Sequence, residues 1–233
     1  MIESPPRPEE LERAAAELEE APAEEILRWS VARWAPEIAL ATSLGAEDMV
    51  VLDLLAQVQE RPRAFFLDTG LHFPETYALM ERVRAAYPRL ELEVLRPRLD
   101  LARQAELYGP ALWRRDPDLC CALRKVEPLE RALRPLSAWV TGLRREQAPT
   151  RRAIRVVEWD RRHGLVKVNP LARWRRGDVW RYLRARCLPY HPLHDRGYPS
   201  VGCQPCTTPV AEGEDERAGR WRGLGKTECG LHV

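Results

Sequence analysis

Six cysteines, at 120, 121, 187, 203, 206 and 229, are the first residues in this sequence whose types and spacing suggest chemistry. Cys120 and Cys121 are adjacent, and Cys203 and Cys206 form a CxxC. Together they supply four thiolates, a donor set that suits zinc or an iron–sulfur cluster. Two CxxC pairs would favour zinc. The adjacent pair points instead to a [4Fe–4S] cluster held by Cys120, Cys121, Cys203 and Cys206, with four reduced, unliganded thiols as the plain alternative. Cys187, between Arg186 and Leu188 on an expected helix, reads as a packed thiol. Cys229 is different. It lies in KTECGLHV, on a terminal stretch where chains are poorly ordered unless tied down, and structural cysteines belong in cores. Lys226 and His232 flank it with charge that favours a thiolate, and Glu228 opposes one.

Lysine occurs only at 125, 167 and 226. Arginine and lysine are not interchangeable where a compact, flexible ammonium is needed. Arg124 and Lys125 directly follow the CC pair, which marks Lys125, whereas Lys167 has no such context. Further basic residues cluster at Arg144, Arg145, Arg151 and Arg152 around EQAPT, and at Arg217 and Arg220. Several such clusters meeting at loops favour a phosphate or sulfate ligand. His191, His194 and Asp195 have the types of metal ligands, but the prolines and tyrosines between them favour a loop-bracing role.

These residues need a scaffold, and the sequence supplies one. Residues 8–34 read as helical with a break near Pro22. EIALATS (37–43), RAFFLDTG (63–70), LELEVLRP (90–97) and SAWVTGLR (137–144) read as strands. Helical patterns follow in LGAEDMVVLDLLAQV, FPETYALMERVRAAY and RKVEPLERAL, with Pro74 near a helix start where it is tolerated. Alternating strands and helices imply a parallel α/β sheet, whose ligands bind beyond the carboxyl ends of the strands. TSLGAED, LDTG and TGLRREQAPTR all fall there. In TSLGAED a strand, a Ser/Gly turn and a helix start make an anion site, although no GK[ST] follows, so this is not a Walker loop. Beyond residue 170, WRRGDVWRYLRARC reads as a helix. LPYHPLHDRGYPSVGCQPCTTPV reads as irregular and site-forming, and GEDERAGRWRGLGK as polar and mobile. The expected organisation is a helical segment at 1–35, an α/β core with anion-binding loops at 36–170, and a C-terminal segment at 171–233 that carries the CxxC pair and the terminal thiol.

Composition narrows the class. With 45% hydrophobic residues the chain can bury a sizeable core. Its 37 basic and 35 acidic residues give a net charge of +2, which is not the footprint of a bulk nucleic-acid binder. No apolar run reaches membrane-spanning length, and the acidic, Pro-rich start is unlike a secretory signal. A soluble, cytoplasmic protein is expected.

The ordered motifs SLGAEDMVVLDL, FLDTGLHFPETY, CCALRKVEPLERAL, VTGLRREQAPTR, NPLARWRRGDVWRYL, LPYHPLHDRGYPSVGCQPCTTPV, GEDERAGRW and KTECGLH resemble the assimilatory adenylyl-sulfate and phosphoadenylyl-sulfate reductases. They extend from about residue 37 to the end. The resemblance implies an adenine nucleotide α-hydrolase-like (PP-loop) fold. It implies that Cys229 attacks the sulfur of the bound sulfate, giving an S-sulfo-cysteine from which a thioredoxin or glutaredoxin-like dithiol releases sulfite. Members with both cysteine pairs carry a [4Fe–4S] cluster and mostly use adenylyl sulfate (APS); some also accept the 3′-phosphorylated form (PAPS). By the same resemblance Ser43, Gly45, Asp48, Leu67, Asp68 and Thr69 line the nucleotide pocket, and Arg124, Lys125, Arg151, Arg217, Arg220 and His232 surround the phosphosulfate. Lys125 is expected to link cluster and substrate, and a homo-oligomer is expected. Leu71 and RWRG (220–223) depart from the family pattern and put local substrate contacts in question.

Two other classes compete. An ATP-pyrophosphatase-type enzyme on the same fold would show a Ser-Gly-Gly loop, absent here, and leaves Cys229 unexplained. A non-catalytic metal- or cluster-binding regulator would tolerate Cys229→Ser without any measurable change.

Overall fold

The computed structural model describes residues 8–231. Helices α1 (Pro8–Glu17) and α2 (Ala23–Trp34) are separated at Pro22, as the sequence suggests. Strand β1 (Ile38–Thr42), helix α3 (Ala46–Val58), strand β2 (Arg63–Leu67), helix α4 (Pro74–Ala86) and strand β3 (Glu91–Leu95) follow. The chain then runs through α5 (Leu101–Tyr108), α6 (Leu112–Arg115), α7 (Pro117–Cys121), a π-helical turn at Ala122–Val126 and α8 (Glu127–Leu133) before β4 (Ala138–Val140). A hairpin of β5 (Val157–Asp160) and β6 (Leu165–Val168) precedes α9 (Arg176–Ala185).

The six strands form one sheet in the order β3-β2-β1-β4-β6-β5. All neighbours are parallel except β5 and β6. Because successive side chains of a strand face opposite ways, Ile38 and Leu40 of β1 join one core while Ala39 joins the other. The larger core holds α2, α3, α4 and α9 against the sheet. On the opposite face, Leu129, Ala132 and Leu133 of α8 pack on Phe65 and Trp139. The strand order reverses between β1 and β4. In doubly wound sheets a crevice opens at that point, beyond the carboxyl ends of the strands.

Two features differ from the sequence reading. The β5–β6 hairpin was not expected. It turns at Gly164, whose φ of +69° suits glycine, and it supplies the antiparallel edge of the sheet. The segment expected to be mobile, GEDERAGRWRGLGK, is anchored: Glu216 pairs with Arg144, Arg217 with Glu228, and Trp221 is buried.

Candidate active site

The turn after β1 starts the site. Leu44 takes the left-handed conformation (φ +60°), held by burial of its side chain and by its N–H donating to Thr42 Oγ1 at 3.0 Å. Asp48, in the first turn of α3, reaches back. Its Oδ2 accepts from Ser43 N at 2.6 Å and Ser43 Oγ at 2.8 Å. Burial raises its pKa to about 6, against those hydrogen bonds. The loop after β4 packs directly on this turn. A Cβ at Gly142 would lie 2.4 Å from Asp48 Oδ1 and 3.1 Å from the Asp48 backbone nitrogen, so only glycine fits.

A pocket opens at the crevice between these loops. Ser43, Gly45, Asp48, Leu67, Lys125, Arg151, Arg217, Arg220 and Cys229 all line it, gathered from six stretches of chain. Asp68, Thr69 and Arg124 stand behind it. Asp68 accepts from Gly70 N, Tyr77 Oη and Arg96 Nε, so its carboxylate shapes the LDTG turn. Arg124 is buried and donates to Thr69 O, Leu99 O and Gln104 Oε1. These bonds fasten the turn to the loop around α5. His232 lies outside the described residues.

The arginines of TGLRREQAPTR do not act as one patch. Arg144 is fully buried and serves as a hub for Glu47, Glu146 and Glu216 at 2.8, 3.1 and 3.1 Å. Arg145 pairs with Glu19. Of this group Arg151 alone lines the pocket; all three pair with carboxylates distant in sequence, but the partner of Arg151, Glu228, is itself on the segment that closes the pocket.

The pocket is electropositive where Lys125, Arg217 and Arg220 meet. Burial, followed by repulsion from Arg151, brings Arg217 down to about 10. Arg220 stacks on Trp221, its guanidinium 4.5 Å from the ring centroid, and its buried Nε–H has no acceptor. A Cβ at Gly202 would meet that guanidinium at 2.2 Å. Lys125 is buried as well. Desolvation works to lower it, but the neighbouring Cys203 and Cys229 sulfurs outweigh this, and the net shift is upward. Crowded cations with a spare donor form a site for an anion.

Lys125 also lines a second, smaller cavity with Cys120, Cys121, Cys203 and Cys206. Asp116 caps α7 by accepting from Leu119 N, with Pro117 at the first helical position. The helix then widens into the π turn, a form frequent at functional sites. Across it Cys120, Cys121, Arg124 and Lys125 are all buried. The CxxC is positioned by backbone pairing. Gln204 N donates to Leu71 O at 2.7 Å and Trp221 N to Cys206 O at 3.0 Å. Burial, then mutual repulsion, pushes Cys120 up to about 12 and Cys206 to about 11. Among the described residues no three ligand-type side chains converge on a single-ion position. The four thiols line a cavity walled by Trp113, Trp221, Leu71 and Pro117, and such a sulfur donor set suits an iron–sulfur cluster. Metal charge would relieve the repulsion that raises them.

Segment 226–231 closes the pocket. Cys229 and Leu231 line it, and Leu231 packs on the smaller core. Lys226 pairs with Asp118, and the buried ammonium close to Cys229 is that of Lys125. Glu228 lies in a fork of two arginines, which neutralise its opposition to a thiolate. Cys187 is exposed rather than packed, at a left-handed position just after α9.

Of the histidines singled out in the sequence, His191 braces its loop as expected, paired with Thr76 Oγ1 at 3.0 Å. His194 Nδ1 bonds Tyr198 O at 2.8 Å, yet the same ring lines the pocket with a buried, unpartnered Nε2. Gly142 and Gly202 show only through their packing.

A nucleotide-type crevice, an anion site and a thiol on its rim define the class of protein. Residues 37–209 match the phosphoadenosine phosphosulfate reductase domain family, and the chain belongs to that family. It is 54% identical over 225 residues to a phosphoadenosine 5′-phosphosulfate reductase of Gloeobacter violaceus, covering 96% of this chain and 93% of the relative. It is 50% identical over 208 residues to an adenosine 5′-phosphosulfate reductase of Halalkalibacterium halodurans, covering 89% and 90%. The crystal structure of a phosphoadenylyl-sulfate reductase from Candida auris, in complex with phosphate, superposes with a TM-score of 0.76 at 32% identity, covering 87% of this chain and 98% of that one. FMN adenylyltransferase of Candida glabrata shares the fold at a TM-score of 0.60 and 18% identity, covering 88% of this chain and 67% of that one. Among the described residues no helix is long and apolar enough to cross a membrane.

Proposed function

We propose that this chain reduces adenylyl sulfate to sulfite and AMP, with a thioredoxin or glutaredoxin-like dithiol as electron donor. The observation that carries the reading is Cys229 on the rim of the crevice, sharing its lining with Lys125 and Arg220. The names of the bacterial relatives agree with it. Ser43, Gly45 and Leu67 hold the nucleoside at the strand ends. Lys125, Arg217 and Arg220, with Arg151, receive the phosphosulfate.

The Cys229 thiolate attacks the sulfate sulfur. An S–S bond forms, the S–O bond to phosphate breaks, and AMP leaves with the electron pair. Cations placed where that negative charge develops stabilise the transition state without reorganising. A thiolate of the external dithiol then attacks Cys229 Sγ and displaces sulfite. Its second thiol resolves the mixed disulfide, so the dithiol leaves oxidised and Cys229 returns as a thiol.

A [4Fe–4S] cluster, held by Cys120, Cys121, Cys203 and Cys206, would tie the helix bearing Lys125 to the segment bearing Arg217 and Arg220 and set the electrostatic field at Lys125. Both electrons are accounted for by Cys229 and the dithiol. The Gloeobacter relative's name supports PAPS as an alternative or additional substrate. The test is sulfite release from APS and from PAPS with reduced thioredoxin, in the wild type and in Cys229→Ser. Turnover lost in the variant while iron is retained supports the reading. Equal behaviour of the two proteins would leave a binding or regulatory module.

A further inference from the structure

We propose that Glu228 is the latch that sets how long Cys229 stays docked on the pocket. This rests on the reductase reading for its catalytic consequence, but not for the latch itself. The Glu228 carboxylate accepts from Arg151 Nε and Nη2, both at 2.9 Å, and from Arg217 Nη2 at 3.0 Å. Thr150 Oγ1 adds a fourth donor at 3.3 Å. The side chain is only 8% exposed. This is a fork-on-carboxylate geometry, the strong form of charge-assisted hydrogen bonding.

The other polar anchors of the segment are weaker by position. Lys226 pairs with Asp118, whose side chain is 81% exposed, so solvent screens the pair. Arg162 donates to Gly230 O at 2.7 Å from an exposed position. Arg217 Nη2 also donates to Thr227 O at 2.8 Å, so two contacts of the segment run through this arginine, and its charged partner sits directly beside Cys229 in sequence. Arg151 and Arg217 belong to the wall of the pocket. Docking of Glu228 on them brings the adjacent thiol to the pocket that Lys125 and Arg220 also line.

The two half-reactions ask opposite things of this segment. Transfer of the sulfo group to Cys229 needs it closed, and attack by a protein dithiol needs it open. A latch held by one carboxylate places both demands on a single equilibrium. Glu228→Gln keeps the shape and an acceptor oxygen but removes the charge. The open fraction should rise roughly 10- to 100-fold for a closed state that dominates in the wild type. Sulfonation falls little until the closed fraction drops below half, whereas every process requiring the open state accelerates in proportion.

The experiment has two arms on anaerobically purified, cluster-loaded protein. The first, without nucleotide, follows alkylation of Cys229 by iodoacetamide, read by peptide mass. The second follows sulfonation of Cys229 by APS in a single turnover, then sulfite release by reduced thioredoxin. Glu228→Gln is expected to raise the alkylation rate at least tenfold, to slow or leave unchanged sulfonation, and to speed sulfite release where attack is limiting. Glu228→Asp, which keeps the charge, should fall between. Unchanged alkylation in Glu228→Gln overturns the latch, and so does a loss of both half-reactions together. Faster alkylation in the variant, with no sulfonation of the wild type by any nucleotide, supports the latch while removing the reductase reading.

Discussion

Asp48→Asn is expected to stabilise the protein at neutral pH, and by an amount that shrinks as the solution is acidified. Asp48 is buried in the turn that opens the pocket, and its pKa rises from the ordinary 3.8 to about 6, chiefly through desolvation. Between those two values the folded protein holds a proton that the unfolded chain has released. The stabilising effect of that proton is complete below pH 3.8 and is lost as pH rises through about 6. Ionisation therefore costs the wild type about 3 kcal/mol above that range. Asparagine removes this cost, and its single oxygen can still serve both donors of Ser43, because both reach Oδ2. About half of the effect develops between pH 5 and 8, which corresponds to a gap in melting temperature that widens by roughly 3–6 °C for a chain of this size. Thermal melts of both proteins at half-unit pH steps measure it. A gap that stays constant from pH 5 to 8, or narrows with rising pH, would refute the reasoning.

Gly142→Ala should weaken AMP binding at least tenfold in calorimetry and cost roughly 1–3 kcal/mol of stability, since its Cβ meets Asp48 at 2.4 Å and backbone at 3.1 Å. Cys203→Ser should lower the iron content of anaerobically purified protein by more than half and remove its visible absorbance, because one of the four thiols proposed to hold the cluster is lost. Lys125→Ala should retain iron yet lose at least tenfold in kcat/KM for APS, since Lys125 lines both cavities. Wild-type binding and turnover in that variant would show that the two cavities are not linked through Lys125.

Much of this architecture could be read from the sequence, for physical reasons that differ by element. Strands β1, β2 and β4 are short, largely apolar runs followed by Ser, Asp or Thr-Gly turns, and those turns or the strand ends beside them carry pocket residues. The CC and CxxC pairs stand out by type alone. The β5–β6 hairpin is only weakly marked in the sequence, where VVEWD and LVKV alternate around a His-Gly turn. The fates of the arginines were hidden for a different reason. Arg144 and Arg151 look alike in sequence. One is consumed by Glu47 and Glu216, 97 and 72 residues away, while the other lines the pocket and pairs with Glu228, 77 residues away. Long-range pairing of that kind leaves no local signature. His194 belongs with these, since its position on the pocket wall follows from how the loop folds over the sheet.

The central claim is that Cys229 becomes covalently sulfonated. It is tested most directly by mixing oxygen-free protein with APS, without reductant, and recording the intact mass and the peptide containing Cys229. The account predicts a gain of one sulfonate on that peptide, removed by reduced thioredoxin with release of sulfite. No adduct from APS or PAPS, in protein that retains its iron, would contradict it.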